Sequence, residues 1–293
     1  MRIEGHLYAQ LEVNKPGGLL RTDTYNRLAA VIDSAVEERN WIAISGPIGS
    51  GKTELVDSTM EELANKYRNK VRIVNLYWPD RQGINIAEIL NQIIYTLGDE
   101  FIGTSSPRRG KEIRMLQVLD ILTSAKQRDQ HIVLIIDEAQ ELHGNTLKAL
   151  KRLWEYKYKG VRDLLSIVLI GQPGLANKIK ADKEIRLRCH THPLHYSLEE
   201  RAMIAHHKSG NAMALEHCAA LAERFDEIGD ILASMRPAME RAIRLEEALD
   251  IKHFQLPKKR EKKDEKGGPA KVDSSKLADL QSRLGRKADR VAS

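Results

Sequence analysis

Residues Gly46-Pro47-Ile48-Gly49-Ser50-Gly51-Lys52-Thr53 match G-x-x-x-x-G-K-[ST] in full, the phosphate-cradling P-loop. The glycines allow a sharp backbone turn that aims successive N–H groups at an anion. A helix starting at Lys52 adds the partial positive charge of its N-terminus at the same spot. The Lys52 ammonium can reach β- and γ-phosphates, and the Thr53 hydroxyl can ligate Mg²⁺. A second constellation is Asp137-Glu138, directly after the aliphatic run Ile132-Val133-Leu134-Ile135-Ile136. In open α/β sheets, ligands bind outside the carboxyl ends of the strands. There Asp137 would hold the Mg²⁺ shell through water, and Glu138 would orient and polarise an attacking water. Paired carboxylates at a strand end favour a nearby cation.

Four further positions carry compatible chemistry. Gln172, after the next aliphatic run, is placed to contact a γ-phosphate or the lytic water; read alone, a Gln before Pro is a turn residue. Arg186 and Arg188 lie just ahead of a last, more polar strand. Either can serve as an arginine finger reaching the γ-phosphate of a neighbouring subunit, or simply face solvent on an edge strand. Arg236, within Ser234-Met235-Arg236-Pro237, is a candidate nucleotide sensor, with Arg241 or Arg244 as substitutes. Cys189, His190, His192 and His195 raise the idea of zinc. Strand alternation sends Cys189 and His190 to opposite faces, which argues against it.

The elements that must position these groups are legible from hydrophobic spacing. A helix is expected over 22–39, a strand over 41–45, and a helix over 54–67 behind the P-loop. A strand follows over 71–77, stopped by Trp78-Pro79, then a strongly periodic helix over 84–97. A polar, basic break at 103–111 leads to a helix over 112–126. The continuous aliphatic run at 131–136 reads as a strand buried on both faces. Then come a helix over 144–158, a strand over 164–170 and a last strand over 185–195. This alternation predicts an α/β fold with a mostly parallel, five-stranded sheet. From Ser197 the pattern is purely helical, over 197–207, 211–226 and 230–250. The expected domains are an N-terminal extension (1–20), a P-loop core (21–196), a small helical lid (197–255) and a flexible basic tail (256–293). Within the tail, Leu277, Leu280 and Leu284 mark a short amphipathic helix, too short to be stable alone.

Charge is unevenly placed. The formal net charge is +6, and residues 257–293 hold twelve Lys/Arg against six Asp/Glu, so the tail carries the whole excess. A nucleic-acid surface on the remainder must be a local patch. One patch is Arg108, Arg109, Lys111 and Arg114; a second is Lys148, Lys151, Arg152, Lys157 and Lys159, on and just after a helix, with Lys148, Lys151 and Arg152 on one face. Two separated cysteines fit a reducing cytosol. No apolar run approaches the ~20 residues of a membrane span, and the N-terminus lacks the apolar core of a secretory signal. The expected location is the cytoplasm of a bacterium or phage-infected cell, with no membrane partner.

Taken together, these motifs resemble the AAA+ ATPases over residues 20–250. Within them the chain is similar to the transposition-regulator group of phage Mu B, TnsC, TniB and the ExeA-like ATPases. Three stretches carry that likeness: Asp137-Glu138-Ala139-Gln140-Glu141-Leu142, Leu169-Ile170-Gly171-Gln172-Pro173-Gly174-Leu175, and the basic Pro107-Arg108-Arg109-Gly110-Lys111. An N-terminal helix-turn-helix domain like that of Mu B is not visible. The resemblance implies ATP and Mg²⁺ as ligands, with hydrolysis to ADP and phosphate at a subunit interface. It implies rings or filaments of this chain on double-stranded DNA without sequence readout. It also implies target selection and activation of a DDE-type transposase, with residues 270–293 as the candidate docking segment. The rival expectation is a loader or remodeller with a protein client, helicase-loader-like or ExeA-like in secretion.

Overall fold

The computed structural model describes residues 20–76, 84–245 and 247–256. The N-terminal extension, the Trp78-Pro79 stop and the tail with Leu277, Leu280 and Leu284 lie outside the described residues. The chain divides into two compact units, Asp23–His195 and the residues from Tyr196 onward, the latter together with the segment ending at Thr22.

In the first unit, α1 (Asp23–Glu37) precedes β1 (Trp41–Ser45), and α2 (Lys52–Tyr67) precedes β2 (Val71–Leu76). Next come α3 (Ile86–Ile102), α4 (Lys111–Gln127), β3 (His131–Ile136), α5 (Gly144–Glu155) and β4 (Leu165–Gly171). The unit ends with α6 (Pro173–Ala181), the single turn α7 (Lys183–Arg186) and β5 (Cys189–Pro193). The five strands form one sheet in the order β2-β3-β4-β1-β5, and every neighbouring pair is parallel. Every residue of β1, β3 and β4 is buried, whereas the edge strands β2 and β5 mix buried and exposed positions. That difference follows from the helices covering both faces of the inner strands. Because all strands run the same way, their carboxyl ends share one edge. The P-loop leaves β1, Asp137 leaves β3 and Gln172 leaves β4, which lies between the two.

Sequence periodicity placed most elements within a few residues of their observed bounds. Helix α3 runs past the expected end at Leu97 and stops at Gly103, whose φ of 72° suits glycine. At its start Asn85 and Glu88 form a reciprocal capping box. Gly98 lies inside this helix because a Cβ there would run into the Thr104 carbonyl as the chain doubles back. Helix α5 ends at Glu155 rather than at 158, where Tyr158 and Val161 instead bridge to each other.

The largest correction concerns the last strand, expected over 185–195. Only Cys189–Pro193 is strand, and residues 173–181 and 183–186 are helical. Pro173 occupies the first turn of α6, where a missing N–H costs nothing. Leu175 and Ile179, four apart, are its buried face. Asp182 ends α6 and caps α7, its Oδ1 accepting the N–H groups of Glu184 (2.9 Å) and Ile185 (3.2 Å). Arg186 is therefore the end of a helical turn, and Arg188 sits one residue before β5.

In the second unit α8 (Leu198–Lys208), α9 (Leu215–Arg224) and α10 (Ile228–Arg244) bury Ala202, Ala205, Leu221, Ala222, Ile231 and Ala242. Ser197 and Glu200 form a capping box at the start of α8. The Arg201 guanidinium donates to the carbonyls of Tyr196 (2.9 Å) and Ala222 (3.0 Å), tying α8 to the end of α9. Among the described residues no helix is long and apolar enough to cross a membrane.

Candidate active site

The P-loop is built by its glycines and closed by its own side chains. Gly46 has no room for a Cβ, which would lie 2.9 Å from the Leu194 carbonyl oxygen. Its N–H donates to the Gly171 carbonyl (3.1 Å), tying the start of the loop to the end of β4. Gly49 and Gly51 adopt φ values of 72° and 79°, a left-handed backbone that L side chains disfavour. The Ser50 hydroxyl and the Lys52 ammonium both donate to the Pro47 carbonyl, at 2.8 Å and 2.7 Å. Ile48 projects to solvent at the tip. Gly51, the N-cap of α2, has no side chain with which to cap it, and the positive end of that helix lies at the end of the loop.

The acidic side comes from β3. Asp137 Oδ2 accepts the Thr53 hydroxyl at 2.9 Å, and Oδ1 accepts the Glu138 N–H at 2.7 Å. Both oxygens are thus oriented, one by each half of the site. Glu138 has φ 51°, a left-handed conformation unusual for a residue with a Cβ. Its carboxylate Oε2 accepts the side-chain amide of Gln140 at 2.5 Å. Gln140 Oε1 in turn accepts the backbone N–H of Gln172 at 3.0 Å. Gln172 occupies the N-cap position of α6, and its own side chain makes no capping bond.

Two groups near this site escaped sequence reading. One is Gln140. The other is Asp57, whose carboxyl is held above the usual range by partial burial and then by the negative charge of Asp137. The available signal was spacing: Asp57 lies four residues after Thr53, hence on the same helix face. The glycine cradle, the lysine, and a hydroxyl bonded to a carboxylate are the donor set that a Mg²⁺-bound triphosphate needs. In this chain Thr53 and Asp137 would hold the metal shell.

The arginines divide by partner. Arg188 Nε donates to Glu155 Oε1 at 2.6 Å. Arg186 is exposed, and no carboxylate among the described residues pairs with it. In the second patch, Lys148 pairs with Asp182 at 3.5 Å. Lys151 pairs with Glu184 at 2.8 Å and Glu155 at 3.4 Å. These pairs staple α5 to the α7 turn. Arg152 is exposed, with no carboxylate partner among the described residues.

The first patch is mounted on a backbone clamp. Gln117, 1% exposed, accepts the Arg108 N–H and donates to the Ser106 carbonyl, both at 3.0 Å. This pins the returning 103–110 segment against α4, with Arg108, Arg109 and Lys111 exposed. Arg114 turns back, donating to Asn91 Oδ1 at 2.8 Å. In the second unit, Arg236 is exposed on α10 and pairs with Glu240 at 3.2 Å. Cys189 is buried and His190 exposed, and burial pushes the Cys189 thiol up.

Residues 35–179 match the family profile described as AAA domain. This segment is an AAA domain. The match holds the P-loop, Asp137, Glu138, Gln140 and Gln172, and ends before Arg186. Solved structures share the AAA+ core. The CDC6P structure from Pyrobaculum aerophilum aligns with TM-score 0.58 and 15% identity, over 80% of this chain and 66% of that one. The Aeropyrum pernix ORC2 protein aligns with TM-score 0.55 and 17% identity, over 83% of this chain and 68% of that one. Drosophila ORC bound to DNA aligns with TM-score 0.52 and 17% identity, over 85% of this chain and 63% of that one. The chain thus spans about two thirds of the length of these proteins. No curated protein sequence matches it.

Proposed function

We propose that this protein is an ATP-hydrolysing AAA+ protein that assembles on double-stranded DNA and, there, marks a target for a DDE-type transposase. The observation that carries the ATPase part is the Thr53–Asp137 hydrogen bond at 2.9 Å. It joins the P-loop helix to the strand end that also bears Glu138. When bound, Mg²⁺ would supply charge neutralisation for the β- and γ-phosphates. The chain's own residues do the remainder. The glycine turn and Lys52 bind and orient the phosphates. Glu138 holds the attacking water and takes up its proton. Gln172, from the adjacent strand end, faces the same edge and contacts the terminal phosphate or that water.

Arg186 supplies the trans contact. It is exposed at the end of a turn that α5 staples in place, whereas Arg188 is already engaged by Glu155. Hydrolysis then requires two copies, and an isolated subunit turns over slowly. Arg236 is assigned to nucleotide sensing from the second unit.

DNA as the partner rests on the exposed Arg108, Arg109 and Lys111 over the Gln117 clamp. It also draws on the likeness to proteins solved with DNA, the Drosophila ORC and the Aeropyrum pernix ORC1 protein (TM-score 0.53, 17% identity, 83% of this chain and 66% of that one). Contacts of this type read phosphate rather than sequence. The transposase role rests on the three family-like stretches named above, and the cytosolic location on the two separated cysteines. ATP hydrolysis measured against protein concentration, with and without random-sequence duplex, tests the reading. A rate per subunit that rises with concentration and with DNA is expected. A rate indifferent to DNA moves the reading to a loader or remodeller with a protein client.

A further inference from the structure

Gln140 lies on the short 3₁₀ turn Ala139–Glu141 that follows Glu138, and both ends of its amide are committed. A backbone N–H can only donate, so the partner of the Gln172 N–H is the amide oxygen. An ionised carboxylate can only accept, so the partner of Glu138 Oε2 is the NH₂ group. The partners themselves fix which way the amide points. The fit beneath it is tight. A Cβ on Gly171 would lie 2.7 Å from Gln140 Oε1 and 2.9 Å from Leu175 Cδ2. The turn is held from outside as well, because the Lys178 ammonium donates to the carbonyls of Gln140 and, at 3.2 Å, Leu142. The 139–142 turn is therefore gripped by the end of β4 and by α6.

We propose that Gln140 is the positioning residue for Glu138, fixing its carboxylate relative to the Gln172 backbone so that the ends of β3 and β4 move as one unit. The proposal rests on the reading that Glu138 acts on the attacking water. A glutamate side chain has three rotatable bonds, and freezing them has an entropic cost that must be met somewhere. Here a hydrogen bond to a charged acceptor meets it. Gly171 is part of the device, since any side chain there would displace the amide.

The test uses the full chain with three variants. Gln140→Met keeps length and loses both hydrogen bonds. Gln140→Glu keeps the shape and the acceptor for the Gln172 N–H, and replaces the donor by a second carboxylate. Glu138→Gln supplies the background for a double-mutant cycle. Misplacing a reacting group by an ångström can cost about 100-fold in rate. Both Gln140 variants are therefore expected to lose roughly 10- to 100-fold in kcat, with KM and fluorescent-nucleotide Kd within about twofold of the parent. In the Glu138→Gln background the Gln140 changes should add no further loss, because their effect runs through that carboxylate. Losses that add in full in that background, or a kcat equal to that of the parent, would overturn the proposal.

Crystal structures of the parent and of Gln140→Glu give a readout independent of turnover. The Glu138 carboxylate should rotate away from its place in the variant. If it stays, the coupling is wrong whatever the rates. If it rotates while the parent binds ATP without hydrolysing it, the coupling stands and the ATPase reading falls.

Discussion

The Thr53 hydroxyl donates to the Asp137 carboxylate across 2.9 Å, although the two residues are 84 positions apart in sequence. The bond joins the first turn of α2 to the carboxyl end of β3, which pairs with β4, itself the neighbour of β1. Everything assigned to phosphate and water in this site is arranged around that junction.

The two halves of the junction should separate experimentally. Lys52→Ala removes a charged phosphate ligand, and a charge-assisted hydrogen bond contributes about 1.5–3 kcal/mol. ATP affinity should fall by roughly 10- to 100-fold, read with a fluorescent analogue. Glu138→Gln keeps shape and hydrogen bonding but cannot take up a proton. Binding should persist while kcat falls by about 10²–10⁴.

Arg186 and Arg188 should differ. Arg186→Ala should lower kcat by about 10³ without weakening nucleotide binding. Mixing it with Lys52→Ala should restore activity, since the Lys52→Ala copy supplies the arginine and the Arg186→Ala copy supplies the intact P-loop. Arg188→Ala loses its ion pair with Glu155, an exposed pair worth at most about 1 kcal/mol, and should leave kcat within a fewfold. Equal losses in the two variants, or no rescue on mixing, would contradict the assignment.

DNA affinity should depend on salt through the first patch. Each phosphate contact contributes about 0.9 to the slope of log K against log salt. Arg109→Ala and Lys111→Ala should each flatten the slope by roughly one unit. Lys151→Ala should not, because Glu184 and Glu155 already neutralise that lysine. Fluorescence anisotropy at several salt concentrations separates these outcomes.

His131 gives a pH dependence unconnected with nucleotide. Its ring is buried at the start of β3, and Nε2 lies 2.8 Å from the Ser166 hydroxyl. That hydroxyl donates its single proton to the Ala35 carbonyl (3.0 Å), so Nε2 carries a hydrogen and donates to Ser166. Burial first, then the Arg39 and Lys126 cations, lowers its pKa from 6.5 to about 3. The unfolded chain therefore binds the proton more readily. The neutral ring's contribution is present in full above pH 6.5 and is lost as pH falls toward 3. Between pH 6.5 and 5 this amounts to about 2 kcal/mol. In urea unfolding, His131→Gln should lose less stability than the parent over that interval. Parallel losses would show that other groups govern the acid limb.

The sequence made the P-loop and the Asp137-Glu138 strand end legible because each is a contiguous motif beside an element of unmistakable period. The parallel sheet was legible because helices alternate with aliphatic runs too short to be anything but strands. The α6–α7 region was not, because it is a nine-residue helix and a single turn, too short for periodicity to declare itself. Its determinants are the caps Pro173 and Asp182 and a face of only two apolar residues, Leu175 and Ile179. Lys148 and Lys151 read as a free basic face because the acids that pair with them from outside their own helix, Asp182 and Glu184, come from that unread segment. Gln140 stood in a family-like stretch, but its role was not legible, for a related reason. Its role lies in a bond to the backbone of Gln172, 32 positions away, and main-chain partners leave no trace in side-chain spacing.

The central claim is nucleotide-dependent assembly on DNA, and negative-stain microscopy tests it most directly. Purified protein would be mixed with random-sequence duplex under ATP, a slowly hydrolysed analogue, and ADP. The account predicts rings or filaments on DNA with ATP or the analogue, absent with ADP and lost on Arg108→Ala/Arg109→Ala substitution. Oligomers that form with nucleotide but ignore DNA, or DNA binding indifferent to nucleotide, would contradict it.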